Sequence, residues 1–181
     1  MNHILYERKF KENNIENRAF DYISRITLSS RNADPSKNII SFLQQYSSKV
    51  KTVYRGIGLI RGHLKDNNLL DKIDEINNLN EGDILPDYLI RNTGKGSKLI
   101  SSYTKKLGLA KKYSEGAKSI VVEITPSKSQ ILLDLDTFAK IQKKKDQTFF
   151  DEEDLKYMIL DKEVLVIEPV KAKIVFVKGK L

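Results

Sequence analysis

Asp161 and Glu163 stand two residues apart where a polar stretch enters the run Glu163-Val164-Leu165-Val166. In an extended chain that spacing puts both carboxylates on one side and Lys162 on the other. Paired acids on one face push one pKa upward and suit acid–base work or the stabilisation of a cation, although a polar strand edge has the same spacing. Arg55 follows the alternating segment Val50-Lys51-Thr52-Val53-Tyr54 and precedes Gly56. At a strand's end its planar guanidinium can grip a pyrophosphate or carboxylate, or serve as an ordinary strand-end charge. Ser102 and Thr104 flank Tyr103, so their hydroxyls share a face if the segment is extended; alternatively, one of them caps the helix that follows.

Other chemistries have less to work with. The chain has no Cys, which excludes a disulfide framework, a thiolate nucleophile and Cys-based zinc sites, and it has two His. One of these, His63, lies in a polar stretch and is expected to be a surface or structural residue. Gly56-Ile57-Gly58 does not complete a dinucleotide fingerprint, and Gly94-Lys95-Gly96-Ser97 lacks the glycine spacing of a phosphate loop.

The elements that must position these groups follow from periodicity. Ile15, Ala19, Phe20, Ile23 and Ile26 predict a helix between Phe10 and Ser30. Asp34-Pro35-Ser36 predicts a second, N-capped by Asp34 and running to Ser47. Val50–Arg55 reads as a strand that turns at Gly56 and Gly58, and Leu69–Leu79 as a short helix. The Gly- and Pro-bearing stretch 81–99 reads as mostly loop. Beyond it come a helix over Lys105–Tyr113, strands over Ser119–Ile124 and Gln130–Leu135, and a short helix or turn over Asp136–Lys144. An exposed loop is expected from Gln147 to Asp154, then strands Glu163–Glu168 and Lys171–Lys178 parted by Pro169. Helices first and strands later predict an α+β fold, with residues 1–49 a helical extension on a core of residues 50–181.

With 181 residues, 40% of them hydrophobic and 31% charged, the chain is long enough for one cored domain. Its apolar runs reach four residues, far short of the roughly 20 that cross a bilayer. Met1 to Arg8 lacks the apolar segment of a secretory signal, so a cytoplasmic protein without a membrane partner is expected. A net charge of +8 favours phosphate-bearing or acidic partners. The runs Lys143-Lys144-Lys145 and Asp151-Glu152-Glu153-Asp154 read as solvated loop faces.

In their order along the chain, these pieces resemble the mono-ADP-ribosyltransferases of the Arg, Ser-x-Ser(Thr) and Glu-x-Glu class, including small bacteriophage and toxin-type enzymes. The matching stretches are Val53-Tyr54-Arg55-Gly56, the run from Ser101 to Tyr113, and Leu160-Asp161-Lys162-Glu163-Val164-Leu165-Val166, with Gly82-Asp83-Ile84 resembling the approach to the serine motif. The resemblance implies a split mixed β-sheet core and NAD as co-substrate without a metal. Arg55, with Tyr54 and Gly56, would bind NAD; Ser102 and Thr104 would brace the site, and Glu163 would be the catalytic acid. Asp161 takes the place of the acid that aligns the acceptor. It is one methylene shorter than the glutamate of arginine-modifying members and would reach less far toward a guanidinium; arginine remains the favoured acceptor on a target protein, with nucleic-acid-associated host machinery among the candidates. Phe149 and Phe150 fall where the family carries its acceptor-recognition loop, and would be either an exposed handle for a protein target or packed into the core beneath the loop.

The residue types suit that chemistry. Loss of nicotinamide leaves positive charge on the ribose, as in glycoside hydrolysis, and Glu163 can stabilise it. Arg55 would anchor the diphosphate and Asp161 would orient the nucleophile. Two other readings are an NAD glycohydrolase, with water as acceptor, and a basic nucleic-acid-binding module in which Arg55 and the lysines meet phosphates. The enzyme readings require the side chains of residues 55, 102 and 163 to converge around one dinucleotide, on the same side of the sheet.

Overall fold

The computed structural model describes residues 14–28, 34–48, 50–91, 100–144, 149–167 and 171–181. Gly94 to Ser97, Lys145, Gln147, Pro169 and the outer ends of the first predicted helix lie outside the described residues. The fold is α+β. Helices α1 (Ile15–Leu28) and α2 (Lys37–Leu43) precede strand β1 (Val53–Leu59). Three short helices follow, α3 (Arg61–Asp66), α4 (Ile73–Asn77) and α5 (Asp87–Arg91), and then β2 (Ile100–Thr104), α6 (Leu107–Tyr113) and β3 (Lys118–Ile124). The chain continues through β4 (Ile131–Asp134), α7 (Leu135–Gln142), α8 (Glu152–Asp161), β5 (Glu163–Ile167) and β6 (Lys173–Gly179).

The strands form one sheet in the order β4-β5-β2-β1-β3-β6, and every neighbouring pair is antiparallel rather than mixed. The two halves are unequally joined. β1 runs beside β3 through seven residue pairs and β2 beside β5 through five, whereas β1 and β2 share the single pair Tyr54–Thr104. Beyond that pair the strands diverge, so the sheet has two half-sheets hinged at one point.

Each side of the sheet carries its own core. On one side Val53, Ile57, Leu59, Tyr103, Ile120, Val122, Val164 and Val166 pack with Leu64, Ile76, Leu85 and Leu89 from the helical segment between β1 and β2. On the other, Ile100, Leu133 and Leu165 pack with α1, α2, α7 and α8 through Phe20, Ile23, Leu43, Phe138, Leu155 and Met158. Fully burying one such side chain contributes about 1.5–3 kcal/mol. Among the described residues no helix is long and apolar enough to cross a membrane.

Several expectations are corrected. β1 does not turn at Gly56 and Gly58 but runs on to Leu59, because these glycines admit the backbone of α6 and its following turn against the strand. Arg55 is therefore the third residue of a seven-residue strand, not its end. Ser36, not Asp34, caps α2, its hydroxyl accepting from Ile39 N at 3.4 Å. The expected loop up to Asp154 and the residues after it hold α8, with Asp151 as N-cap and Glu152, Glu153 and Asp154 in its first turn. Acids there complement the helix dipole rather than line a loop. Phe150 is buried and Phe149 partly so, both within an aromatic cluster: Phe138 lies 5.6 Å from Phe150, and Phe20 5.8 Å from Phe149. Of the two expected alternatives it is the core packing that holds: Phe150 is core and Phe149 packs against it, so neither is an exposed handle.

Candidate active site

A cavity of about 270 Å³ opens where the two half-sheets part. β1 contributes Tyr54, Arg55 and Gly56, β2 contributes Ser102, Tyr103 and Thr104, α6 contributes Tyr113, and the α8–β5 junction contributes Asp161 and Glu163. Every residue singled out from the sequence as catalytic or NAD-binding thus borders this one opening. Gly82-Asp83-Ile84 does not border it; Ile84 bridges Lys173 at the edge of the sheet. His63 is exposed on α3.

The lining groups approach from two sides. Side chains alternate along strands, and Arg55 shares the side of Val53, Ile57 and Tyr103, with its guanidinium carbon 6.0 Å from the centre of the Tyr103 ring. Ser102, Thr104 and Glu163 belong to the side of Ile100 and Leu165. Residues of both sets border the cavity beside the single pair that joins β1 to β2, but the expected convergence from one side is corrected: alternation sends the Arg55 side chain to the side opposite Ser102 and Glu163. Tyr103, expected to face away from the hydroxyls, is buried on the Arg55 side.

Ser102 faces Glu163 across the β2–β5 ladder, where Thr104 is paired with Glu163 and Ser102 with Leu165. The Ser102 hydroxyl donates to Oε1 of Glu163 in a short hydrogen bond. Burial pushes the Glu163 pKa up; the Ser102 hydroxyl opposes this by favouring the ionised form, and the Asp161 charge adds to the rise. The outcome is a carboxylate whose pKa lies above its ordinary range, oriented among the described residues by the Ser102 hydroxyl.

Asp161 and Glu163 do reach a common space, but not by strand alternation. Asp161 is the last residue of α8, Lys162 adopts a left-handed conformation (φ 52°, ψ 36°), and Glu163 opens β5. This turn is fastened to the end of β2. Thr104 Oγ1 donates to the Asp161 carbonyl at 2.8 Å and accepts from Lys106 N at 3.2 Å, while Lys105 N donates to the Lys162 carbonyl at 3.1 Å. The buried Thr104 hydroxyl is thus engaged by backbone and acts on the site through position.

Tyr113 is the participant that sequence reasoning missed as a site residue. Its hydroxyl donates to Oδ1 of Asp161 at 3.3 Å, and its pKa is raised by burial, by the charge of Asp161 and its hydrogen bond, and by Glu163. A signal was present: on a helix that starts just after the hydroxyl motif, Tyr113 is the terminal aromatic. Two acids, one with its pKa raised, in a cavity that Tyr54 and Tyr113 also border suit a ligand with a flat ring and a sugar.

Removal of the one donor gives a signed test. Ser102→Ala leaves burial and Asp161 unopposed, so the Glu163 pKa is expected to rise further. The measurement is a carboxyl-detected NMR titration, and an unchanged or lower midpoint would refute the role given to Ser102.

Comparison with protein-family models, with curated proteins and with solved structures finds no match to this chain.

Proposed function

We propose that this chain is an NAD-dependent protein mono-ADP-ribosyltransferase of ADP-ribosyltransferase-like fold. The observation that carries the reading is the Ser102–Glu163 hydrogen bond in a cavity also bordered by Arg55 and Asp161. A hydroxyl-oriented carboxylate beside a second acid is what a reaction through a ribosyl cation needs. The cavity is near the lower end of ligand pockets, roughly 300 Å³, and therefore suits the nicotinamide-ribose portion rather than the whole dinucleotide.

NAD supplies a ribosyl group whose bond to nicotinamide breaks with the electron pair leaving on nicotinamide. Glu163 stabilises the positive charge left on the ribose and accepts from its 2′-hydroxyl. Arg55 lies on the opposite side of the sheet, so it neutralises the diphosphate and fixes the direction of the sugar only if the diphosphate passes the parting of β1 and β2 to meet it. Asp161, with Tyr113 donating to it, orients the acceptor and takes up the proton released when the new bond forms. A cationic acceptor such as arginine fits two adjacent acids best, and a bacterial host protein is the expected target class.

The test is incubation with NAD labelled in its adenylate, in the presence of a bacterial lysate, followed by mass spectrometry of the labelled protein. Covalent label on protein with matching nicotinamide release is expected. Nicotinamide release with only free ADP-ribose would establish a glycohydrolase, and no release at all would overturn both. For Asp161→Ala, transfer to protein should fall about 100-fold while NAD hydrolysis persists. Equal loss of both would remove Asp161 from the acceptor's side.

A further inference from the structure

Lys162 is the residue between the two acids, and it is neither Gly nor Asn although its backbone is left-handed. Its ammonium donates to Oδ1 of Asp136 at 2.9 Å, and Lys140 meets the same oxygen at 3.0 Å. Asp136 is in the first turn of α7 and is 6% exposed. Next to it, Asp134 caps α7 and is fully buried. Lys105 donates to both its oxygens, at 2.7 and 2.6 Å, and the hydroxyls of Thr137 and Ser48 donate to it as well. Burial works to raise both pKa values, but the lysines and hydroxyls outweigh it and hold both acids below the usual range. The network is therefore charged, satisfied and rigid.

Two of its three lysines belong to the two backbone segments that carry the site. Lys105 follows Thr104, and Lys162 separates Asp161 from Glu163. We propose that Lys162 and Lys105 are positioning residues: anchored on Asp136 and Asp134 at the start of α7, they fix the left-handed turn that aims both Asp161 and Glu163 into the cavity. Ser48 extends the anchorage to the N-terminal segment, which thereby props the site from behind. This inference rests on the reading of Glu163 as the catalytic carboxylate. Nothing in the network touches the cavity; it acts through orientation alone.

Three variants test it. Lys162→Ala keeps a side chain in the left-handed region but removes its anchor, Lys162→Gly removes the anchor and the conformational cost together, and Asp136→Asn weakens the anchor from the other end. NAD turnover is expected to fall up to about 100-fold in Lys162→Ala, with KM for NAD within about threefold, since displacement of a reacting group by an ångström has that effect on turnover. Lys162→Gly should recover much of the loss, and Asp136→Asn should resemble Lys162→Ala. Unchanged turnover in folded Lys162→Ala or Asp136→Asn, or an equal loss in the Gly and Ala variants, would overturn the inference. Should the unmodified protein not cleave NAD, the enzymatic reading fails, and the positioning role is decided by carboxyl-detected titration of Glu163. Lys162→Ala is then expected to move its midpoint upward as the Ser102 bond is lost, with a smaller movement in Lys162→Gly; no movement would refute positioning.

Discussion

Glu163→Gln is expected to reduce ADP-ribosyl transfer by about 100- to 1,000-fold while leaving NAD affinity nearly intact and the fold more stable at neutral pH. The exchange keeps shape: the amide oxygen still accepts from Ser102, and the side chain still opens β5 beside Thr104. What it removes is the negative charge that stabilises the ribosyl cation, a term present in the transition state and largely absent from the bound ground state. The loss should therefore appear in kcat, with KM little changed.

The stability gain follows from the sign of the shift. Burial raises the folded-state pKa of Glu163 above its unfolded value, so the folded chain binds the proton more tightly than the unfolded one. The contribution to stability is present at low pH and is lost as pH rises through the raised value. Above the ordinary glutamate pKa the unfolded chain gives up this proton more readily than the folded one, which opposes folding, and glutamine removes that cost. Thermal melts near pH 8 should place the variant above the parent, with the gap closing towards the ordinary glutamate pKa of about 4.3. Well below that value the comparison fails, because Asp134 and Asp136, held down by their lysines, lose their stabilising contribution as they protonate. Transfer within threefold of the parent, or a lower melting temperature near pH 8, would contradict the role assigned to Glu163.

How much of this was legible in the sequence depends on whether an observation is about residue type or about the route of the chain. Arg55, Ser102 and Glu163 stand out because a cation, a hydroxyl and an acid at strand-like positions are chemically distinctive, and all three border the same cavity. The path that takes them there was less visible. The pattern at Asp161 suggested extended backbone because α8 is short of apolar periodicity on its exposed side, where Tyr157 and Leu160 are both more than half exposed. Nothing local marks Lys162 as left-handed; its partner Asp136 is 26 residues away. Phe149 and Phe150 looked exposed beside acids, but those acids cap α8, and the rings meet Phe20 and Phe138 from distant elements. That Arg55 and Ser102 occupy opposite sides of the sheet depends on pairing between β1 and β2, which no single-strand pattern encodes.

Gly56→Ala carries the largest expected effect on stability, and the reason is backbone proximity rather than ligand contact. A Cβ at position 56 would lie 2.0 Å from the Ala110 carbonyl oxygen, 2.7 Å from Ser114 N and 2.9 Å from the Tyr113 carbonyl carbon. All three are main-chain atoms, so no rotamer change can relieve the overlap and α6 must move as a body. Overpacking of this kind costs about 1–3 kcal/mol and more where the neighbours are rigid. For a chain of this length that is a melting temperature lowered by roughly 3–10 °C. Gly62 is the internal control: it is exposed on α3 with nothing within 4 Å of an added Cβ, so alanine there should be neutral or stabilising by up to about 1 kcal/mol. Because Tyr113 ends α6 and donates to Asp161, outward movement of the helix also breaks the contact at the mouth of the cavity. Gly56→Ala should then lose transfer at temperatures where circular dichroism still reports a folded chain, whereas Gly62→Ala should lose none. Equal melting temperatures for the two variants would mean that α6 does not press on β1 as closely as these distances require.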